Sequence, residues 1–242
     1  FGNPEDPEIF WTFMESIEGI TNYAKSMNIP CVGGKVSFYN ETNNGPIKPT
    51  PLIGVLGLID KSPLLPKPPK NNDVVILVGR TKNELGGSEY YEYIHDFIGG
   101  TVPHVDITES RKNMNSVLSL ISKKLVKNVH DCSKGGLAVA LSELCISGKI
   151  GCNVNLKDVS TISFEGCMFS ESHSRYLLVV DKKDLKNVKQ LLEKNKCVFS
   201  EIGMFTSDQI IFTHKTKPIL KLRVDKAENH YLNSLEKIIQ NG

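Results

Sequence analysis

His130-Asp131-Cys132-Ser133-Lys134-Gly135-Gly136-Leu137 joins an apolar run to a helical one through a polar, glycine-containing turn. It puts Asp131 and Ser133 at the end of a strand and leads straight into a helix, whose free N–H groups favour a phosphate. Ser133 serves equally well as a plain cap of that helix. The spacing is that of neither a P-loop nor a dinucleotide fingerprint, so both readings stay open.

On either side of this turn, Val74 to Val78 reads as a buried strand, and the Gly86-Gly87-Ser88 turn introduces a helix running through Ile94. Helices follow at Ile107 to Val126 and Gly135 to Cys145. Strands are expected at Tyr176 to Val180, Val198 to Phe205 and Gln209 to Phe212, with a helix from Asp184 to Lys194 between the first two. Asp225 to Ile239 reads as a closing helix. Strand and helix alternate irregularly and the late strands look antiparallel, which predicts an α+β sandwich rather than a doubly wound sheet.

Toward the start, Phe10, Phe13, Met14, Ile17, Ile20, Ala24 and Met27 recur at three- and four-residue steps and define one helix face. Asp6 is placed to cap that helix and Pro7 to open it; Pro30 limits its end to near Asn28. Cys31 to Gly34 and Val36 to Tyr39 read as short strands, followed by a polar loop and a longer strand at Leu52 to Ile59. Pro63, Pro66, Pro68 and Pro69 mark a stiff linker. The expected organisation is therefore a partial strand-rich domain over 1–62, a linker over 63–72 and an α+β domain over 73–242.

Composition narrows the function. The 242 residues are 40% hydrophobic, and 29 Lys and Arg against 27 Asp and Glu are scattered in small groups, which argues against a nucleic-acid partner. The six cysteines form no C-x-x-C pair and have no histidine at zinc-ligand spacing, so they read as buried thiols. With no apolar run of the roughly 18 residues a membrane span needs, the expectation is a soluble, cytoplasmic protein. Phe1-Gly2-Asn3-Pro4 lacks an initiator Met and reads as the middle of a longer polypeptide.

Two further turns carry chemistry. In Val32-Gly33-Gly34-Lys35-Val36-Ser37 the paired glycines let backbone pass close to a ligand, Lys35 adds charge and Ser37 a hydroxyl; a tight hairpin would need the same glycines. In Phe169-Ser170-Glu171-Ser172-His173-Ser174-Arg175-Tyr176, Glu171 is suited to a substrate hydroxyl or a metal, or to a surface pair with Arg175. His173 has no assignable partner as a base.

In order, FGNPEDPEIFW from Phe1, PCVGGKVSFYNET from Pro30, PTPLIGVLGLI from Pro49, ELGGSEY from Glu84, HDCSKGGLAVALSE from His130 and FSESHSRYLL from Phe169 resemble the synthetase domain of the formylglycinamidine ribonucleotide synthetase family, within the aminoimidazole ribonucleotide synthetase-like superfamily. The resemblance runs from Phe1 to about Phe212. Such proteins look like two fused copies of one unit, each with a strand-rich N-terminal half and an α+β C-terminal half. It implies that residues 1–62 are the tail of a second, ATP-binding N-terminal half, that the rest is the second C-terminal half, and that this chain alone is inactive. The family's catalytic histidine, most of its magnesium-binding acids and its main substrate segment fall outside the matched stretch.

The resemblance implies that Gly34 and Lys35 meet ATP and that Ser37 meets formylglycinamide ribonucleotide. Lys35 stands where the family often has a magnesium-holding Asn; a charged ammonium has no lone pair to give, so a role on phosphate replaces one on metal. By internal pseudo-symmetry, Asp131, Gly135, Glu171 and Ser172 imply an auxiliary site. The implied reaction is ATP-dependent amidation, in which the substrate amide oxygen is phosphorylated and glutamine-derived ammonia displaces phosphate. Implied partners are the rest of the chain, a glutaminase subunit and a small accessory subunit. Selenophosphate synthetases, thiamine-phosphate kinases and hydrogenase-maturation dehydratases look similar in fold, but FGNPEDPE together with GGKVSFYNE is not expected in them. A noncatalytic module for dimerisation or docking is the alternative from another class, since strands at 31–39 and 52–59 without partners would seek other chains.

Overall fold

The computed structural model describes residues 1–59 and 66–241, in two compact units, Phe1–Lys61 and Ser62–Gly242. In the first unit, helix α1 spans Pro7–Met27, with the Asp6 carboxylate accepting from the N–H groups of Glu8 and Ile9 and Asn28 closing the helix in the left-handed region at φ 57°. Its apolar face is half covered at best; Phe13 meets Phe1 and Phe38 edge to face, at centroid distances of 5.3 and 5.1 Å. Backbone bonds from Tyr39 to Gly2 and from Asn40 to Phe1 tie the same two segments together.

The strands expected at Cys31 to Gly34, Val36 to Tyr39 and Leu52 to Ile59 form no ladder. The ladder among the described residues of this unit is a two-residue hairpin, β1 (Glu41–Thr42) with β2 (Gly45–Pro46), turned at Asn43 and Asn44, with Gly45 entering β2 at φ 109°. A strand is defined by its neighbour, and an apolar run without one stays extended and unpaired. Leu52, Leu56 and Leu58 are 95, 100 and 100% exposed.

Among the described residues, the second unit is built on seven strands: β3 (Val74–Val78), β4 (Asn128–Asp131), β5 (Cys152–Asn155), β6 (Tyr176–Val180), β7 (Phe199–Phe205), β8 (Gln209–His214) and β9 (Lys217–Arg223), in the order β4-β6-β3-β7-β5-β8-β9. The helices are α2 (Glu89–His95), α3 (Ile107–Ser122), α4 (Gly136–Gly148), α5 (Phe164–Phe169), α6 (Leu185–Lys194) and α7 (Val224–Asn241). Helices cover both faces of the sheet, which is why β3 and β6 are apolar at nearly every position rather than at alternate ones. Val75, Leu77, Leu177 and Val179 pack against α4, α5 and the start of α7 through Leu141, Met168 and Ala227. Val74, Ile76, Val78, Leu178 and Val180 face α3 and α6 through Leu120 and Leu192.

The α+β class expected from the sequence is the one observed. β7 and β8 do run in opposite directions, but β5 lies between them, antiparallel to β7 and parallel to β8. β5, β9 and α5 are absent from the sequence reading: β5 has four residues, α5 has six, and β9 is a charged edge strand containing Pro218. Of the expected linker 63–72, residues 63–65 lie outside the described residues. The rest lies on the second unit, where Lys67 N–H donates to the Lys127 carbonyl, Asn72 N–H to the Phe205 carbonyl, and Pro69 is buried.

At the β7–β5 contact a Cβ on Gly203 would overlap the backbone carbonyl of Asn153. Gly203→Ala should therefore lower the unfolding free energy by about 1–3 kcal/mol, the usual range for overpacking. Urea denaturation followed by circular dichroism checks it; an unchanged midpoint would mean that the two strands are not in this register.

Candidate functional site

Val78 of β3 and Asp131 of β4 both stand in register with Tyr176 of β6. The loop leaving β3, the turn leaving β4 and the loop entering β6 therefore converge on one edge of the sheet. Arg175 sits between them, 1% exposed. Its Nε donates to the Ser172 carbonyl at 2.9 Å, Nη1 to Thr81 Oγ1 at 3.1 Å, and Nη2 to the Ser170 carbonyl. Among the described residues no carboxylate comes within ion-pair distance of it, and burial pulls its pKa below the ordinary arginine value. Gly79, at φ 97°, lets the chain pass the Ser174 carbonyl and the Arg175 stem, where a Cβ would sit 2.6 and 3.0 Å away.

The two loops are also joined directly. Ser170 Oγ accepts from Glu84 N–H at 3.0 Å and donates to the Lys82 carbonyl, Ser172 Oγ accepts from Lys82 N–H at 3.1 Å, and Glu171 N–H donates to the Glu84 carbonyl at 3.1 Å. Glu171 lies between two carbonyls held by Arg175, and its side chain turns toward the β4–α4 turn. One oxygen, Oε1, accepts from Gly135 N–H and from Glu89 N–H, both at 2.9 Å. Ser133 does not cap α4 with its side chain; Gly135 occupies the cap position at φ 72°, and the carboxylate reaching its N–H comes from the β6 loop. The surface pair of Glu171 with Arg175 weighed from the sequence is not formed.

This arrangement brings Asp131, Gly135 and Glu171 together. Asp131, Ser133, Lys134, Glu171, His173 and Tyr176 border a cavity of about 350 Å³. The Asp131 side chain is largely exposed there, and Lys134 pairs with Glu89, which raises its pKa above the usual lysine value. Ser172 is buried, and its hydroxyl is engaged by the Lys82 N–H. Gly33, Gly34, Lys35 and Ser37 belong to the first unit and are all exposed; a Cβ on either glycine would meet nothing within 4 Å, and neither has a positive φ. No tight glycine hairpin is formed at this position. Instead the segment has no regular secondary structure, and at its far end the Ser37 carbonyl accepts from the Phe1 amino group at 3.0 Å. Among the described residues no group of three or more His, Cys, Asp or Glu is placed to hold a metal ion, and no helix is long and apolar enough to cross a membrane.

The seven-stranded sheet covered by helices on both faces, with a carboxylate set into the turn beyond β4, defines the second unit as an α+β domain. The chain belongs to the AIR synthase related protein family, matching its N-terminal domain over residues 1–59 and its C-terminal domain over 70–215. Among curated proteins it is 39% identical to phosphoribosylformylglycinamidine synthase subunit PurL of Thermococcus sibiricus, over 99% of this chain and 33% of that protein. The PurL subunit of Pyrococcus horikoshii is 38% identical over the same shares. The chain thus spans about a third of the length of the curated relatives it matches. Among solved structures, Thermotoga maritima PurL complexed with FGAR superposes with a TM-score of 0.71 at 16% identity, over 88% of this chain and 36% of that one. Its complex with ATP gives 0.65 at 17% identity, over 88% and 35%. At that identity these structures show a shared fold.

Burial pushes the Cys132 thiol in the β4–α4 turn up to about 11 and that of Cys145 up to about 12, whereas Cys31 is exposed. Iodoacetamide at pH 8 should alkylate Cys31 in the folded chain and reach Cys132 and Cys145 only after unfolding. Peptide mass mapping reads this directly, and native-state modification of Cys132 would contradict the packing of the turn.

Proposed function

We propose that this chain is part of an ATP-dependent synthetase that converts formylglycinamide ribonucleotide and glutamine-derived ammonia to formylglycinamidine ribonucleotide in purine biosynthesis, in the cytoplasm. The observation that carries the reading is the 39% identity with a synthase subunit along nearly the whole chain. Gly34 and Lys35 would approach ATP and Ser37 the ribonucleotide. The exposure of that segment, with open space beside both glycines, supports the assignment. Complexes of T. maritima PurL with ATP and with FGAR are in keeping with these ligands.

The chemistry asks for positioning and charge neutralisation more than for covalent participation by the protein. Magnesium would accompany the nucleotide phosphates. Lys35 can donate to phosphate oxygens but cannot ligate the metal, so magnesium would be held by groups other than this side chain. Asp131, Gly135 and Glu171 would line an auxiliary site, while the Ser172 hydroxyl is buried and taken up by the Lys82 N–H. A glutaminase and a small accessory subunit would supply the ammonia; the existence of a PurLQS structure from T. maritima is in keeping with further subunits.

Since Gly34 has room for a Cβ and no strained φ, Gly34→Ala should fold as the wild type does. In titration calorimetry with ATP and magnesium it should bind about tenfold or more weakly, a loss of about 1.4 kcal/mol or more. Lys35→Asn should weaken binding severalfold as well. Equal affinities for all three chains would remove this segment from the nucleotide site. The 242-residue chain should show no turnover of formylglycinamide ribonucleotide, and measurable turnover would overturn that part of the reading.

The exposed run from Leu52 to Ile59, which joins no ladder among the described residues, supports self-association of the chain through its first unit. Sedimentation velocity at micromolar concentration should show species larger than a monomer. A strictly monomeric boundary would exclude it.

A further inference from the structure

The ELGGSEY segment has no role in the function proposed above, yet its geometry is specific. Gly86 and Gly87 on one side and Gly99 and Gly100 on the other are packed backbone to backbone. A Cβ on Gly86 would overlap the main chain of Thr101, and Gly100, at φ 85°, would carry a Cβ 3.1 Å from the Gly86 Cα. Gly87 N–H donates to the Gly99 carbonyl at 2.9 Å. Between these pairs, residues 88–98 make an excursion containing α2, whose outer part exposes Tyr93, Ile94, Phe97 and Ile98. Four glycines at the neck give it the torsional freedom of a hinge.

The contacts that hold this excursion down lie near its start. Glu89 N–H donates to Glu171 Oε1, the Glu89 carboxylate pairs with Lys134, and the Tyr90 ring stacks on Phe169 at 4.8 Å and 10°. Glu171 Oε1 is the same atom that accepts from Gly135. The excursion and the β4–α4 turn therefore share one acceptor, and neither can move far from it without losing a charge-assisted bond.

We propose that residues 86–100 are a glycine-necked flap and that Glu171 is the latch fastening it to the β4–α4 turn beside the 350 Å³ cavity. Oε2 of Glu171 has no hydrogen-bond partner among the described residues, so the latch engages through one oxygen. The flap lies against the β4–α4 turn when both N–H groups share Oε1 and swings on its glycine neck when they do not. The proposal stands whether or not the synthetase reading does.

The test compares wild type, Glu171→Gln and Glu171→Ala in the full 242-residue chain by amide hydrogen exchange and limited chymotrypsin digestion. In Glu171→Ala, exchange at the Glu89 and Gly135 amides and cleavage after Tyr93 and Phe97 should all rise by about tenfold or more, as expected for losing a bond to a charged acceptor, while β3 amides stay protected. Glu171→Gln keeps a carbonyl acceptor of the same shape and should lie between the two. A rise at Gly135 alone would overturn the proposal, as would unchanged cleavage, or an equal rise across the β3 core that marks general destabilisation.

Discussion

The convergence of loops at this sheet edge depends on a buried guanidinium. Arg175 is almost completely removed from water and has no carboxylate in ion-pair contact among the described residues. A desolvated charge is costly unless its donors are satisfied. Here three of them are met by the carbonyls of Ser170 and Ser172 and the hydroxyl of Thr81. Those acceptors cannot drift without exposing the charge to an apolar interior, so the loop entering β6 and the loop leaving β3 are fixed to each other. Glu171 lies between the two carbonyls, and its direction follows from theirs.

The sheet supplies the frame for this clasp. Because β3, β6 and β4 are adjacent, antiparallel and in register at Val78, Tyr176 and Asp131, three loops distant in sequence open at one edge. Covering the sheet on both faces makes that edge the place where polar chain can gather without disrupting the core. The first unit follows a different logic. Its helix is well capped, yet few of its apolar residues are covered, and the segment carrying Gly34, Lys35 and Ser37 is held by an aromatic cluster and main-chain bonds rather than by a sheet.

Much of the second unit was legible in the sequence, because runs such as Val74–Val78 and Tyr176–Val180 are continuous, apolar and bounded by polar turns. β5 and β9 escaped because one is four residues long and the other alternates charge at an edge, signals that overlap with those of loops. The strands expected at 31–39 and 52–59 show the opposite failure: their composition suits a strand, but pairing is a property of neighbours that composition cannot report. At the site, Asp131, Gly135, Glu171 and Ser172 were grouped through the family resemblance alone; in the structure Glu171 bonds the Gly135 N–H, Asp131 and Glu171 border one cavity, and Ser172 is buried. The clasp was not recognisable, because Arg175 beside Glu171 reads as an ordinary surface pair. The available signal was position, since an Arg directly before a fully apolar strand and after three serines has carbonyls and hydroxyls within reach.

The direct test of this account is the nitrogen-resolved NMR signal of the Arg175 side chain, assigned by its loss in Arg175→Lys. A guanidinium held by three acceptors away from water should give a distinct Nε–H resonance that exchanges slowly with solvent at neutral pH. A signal averaged by rapid exchange, like that of a surface arginine, would contradict the clasp and with it the fixed geometry of the loops it joins.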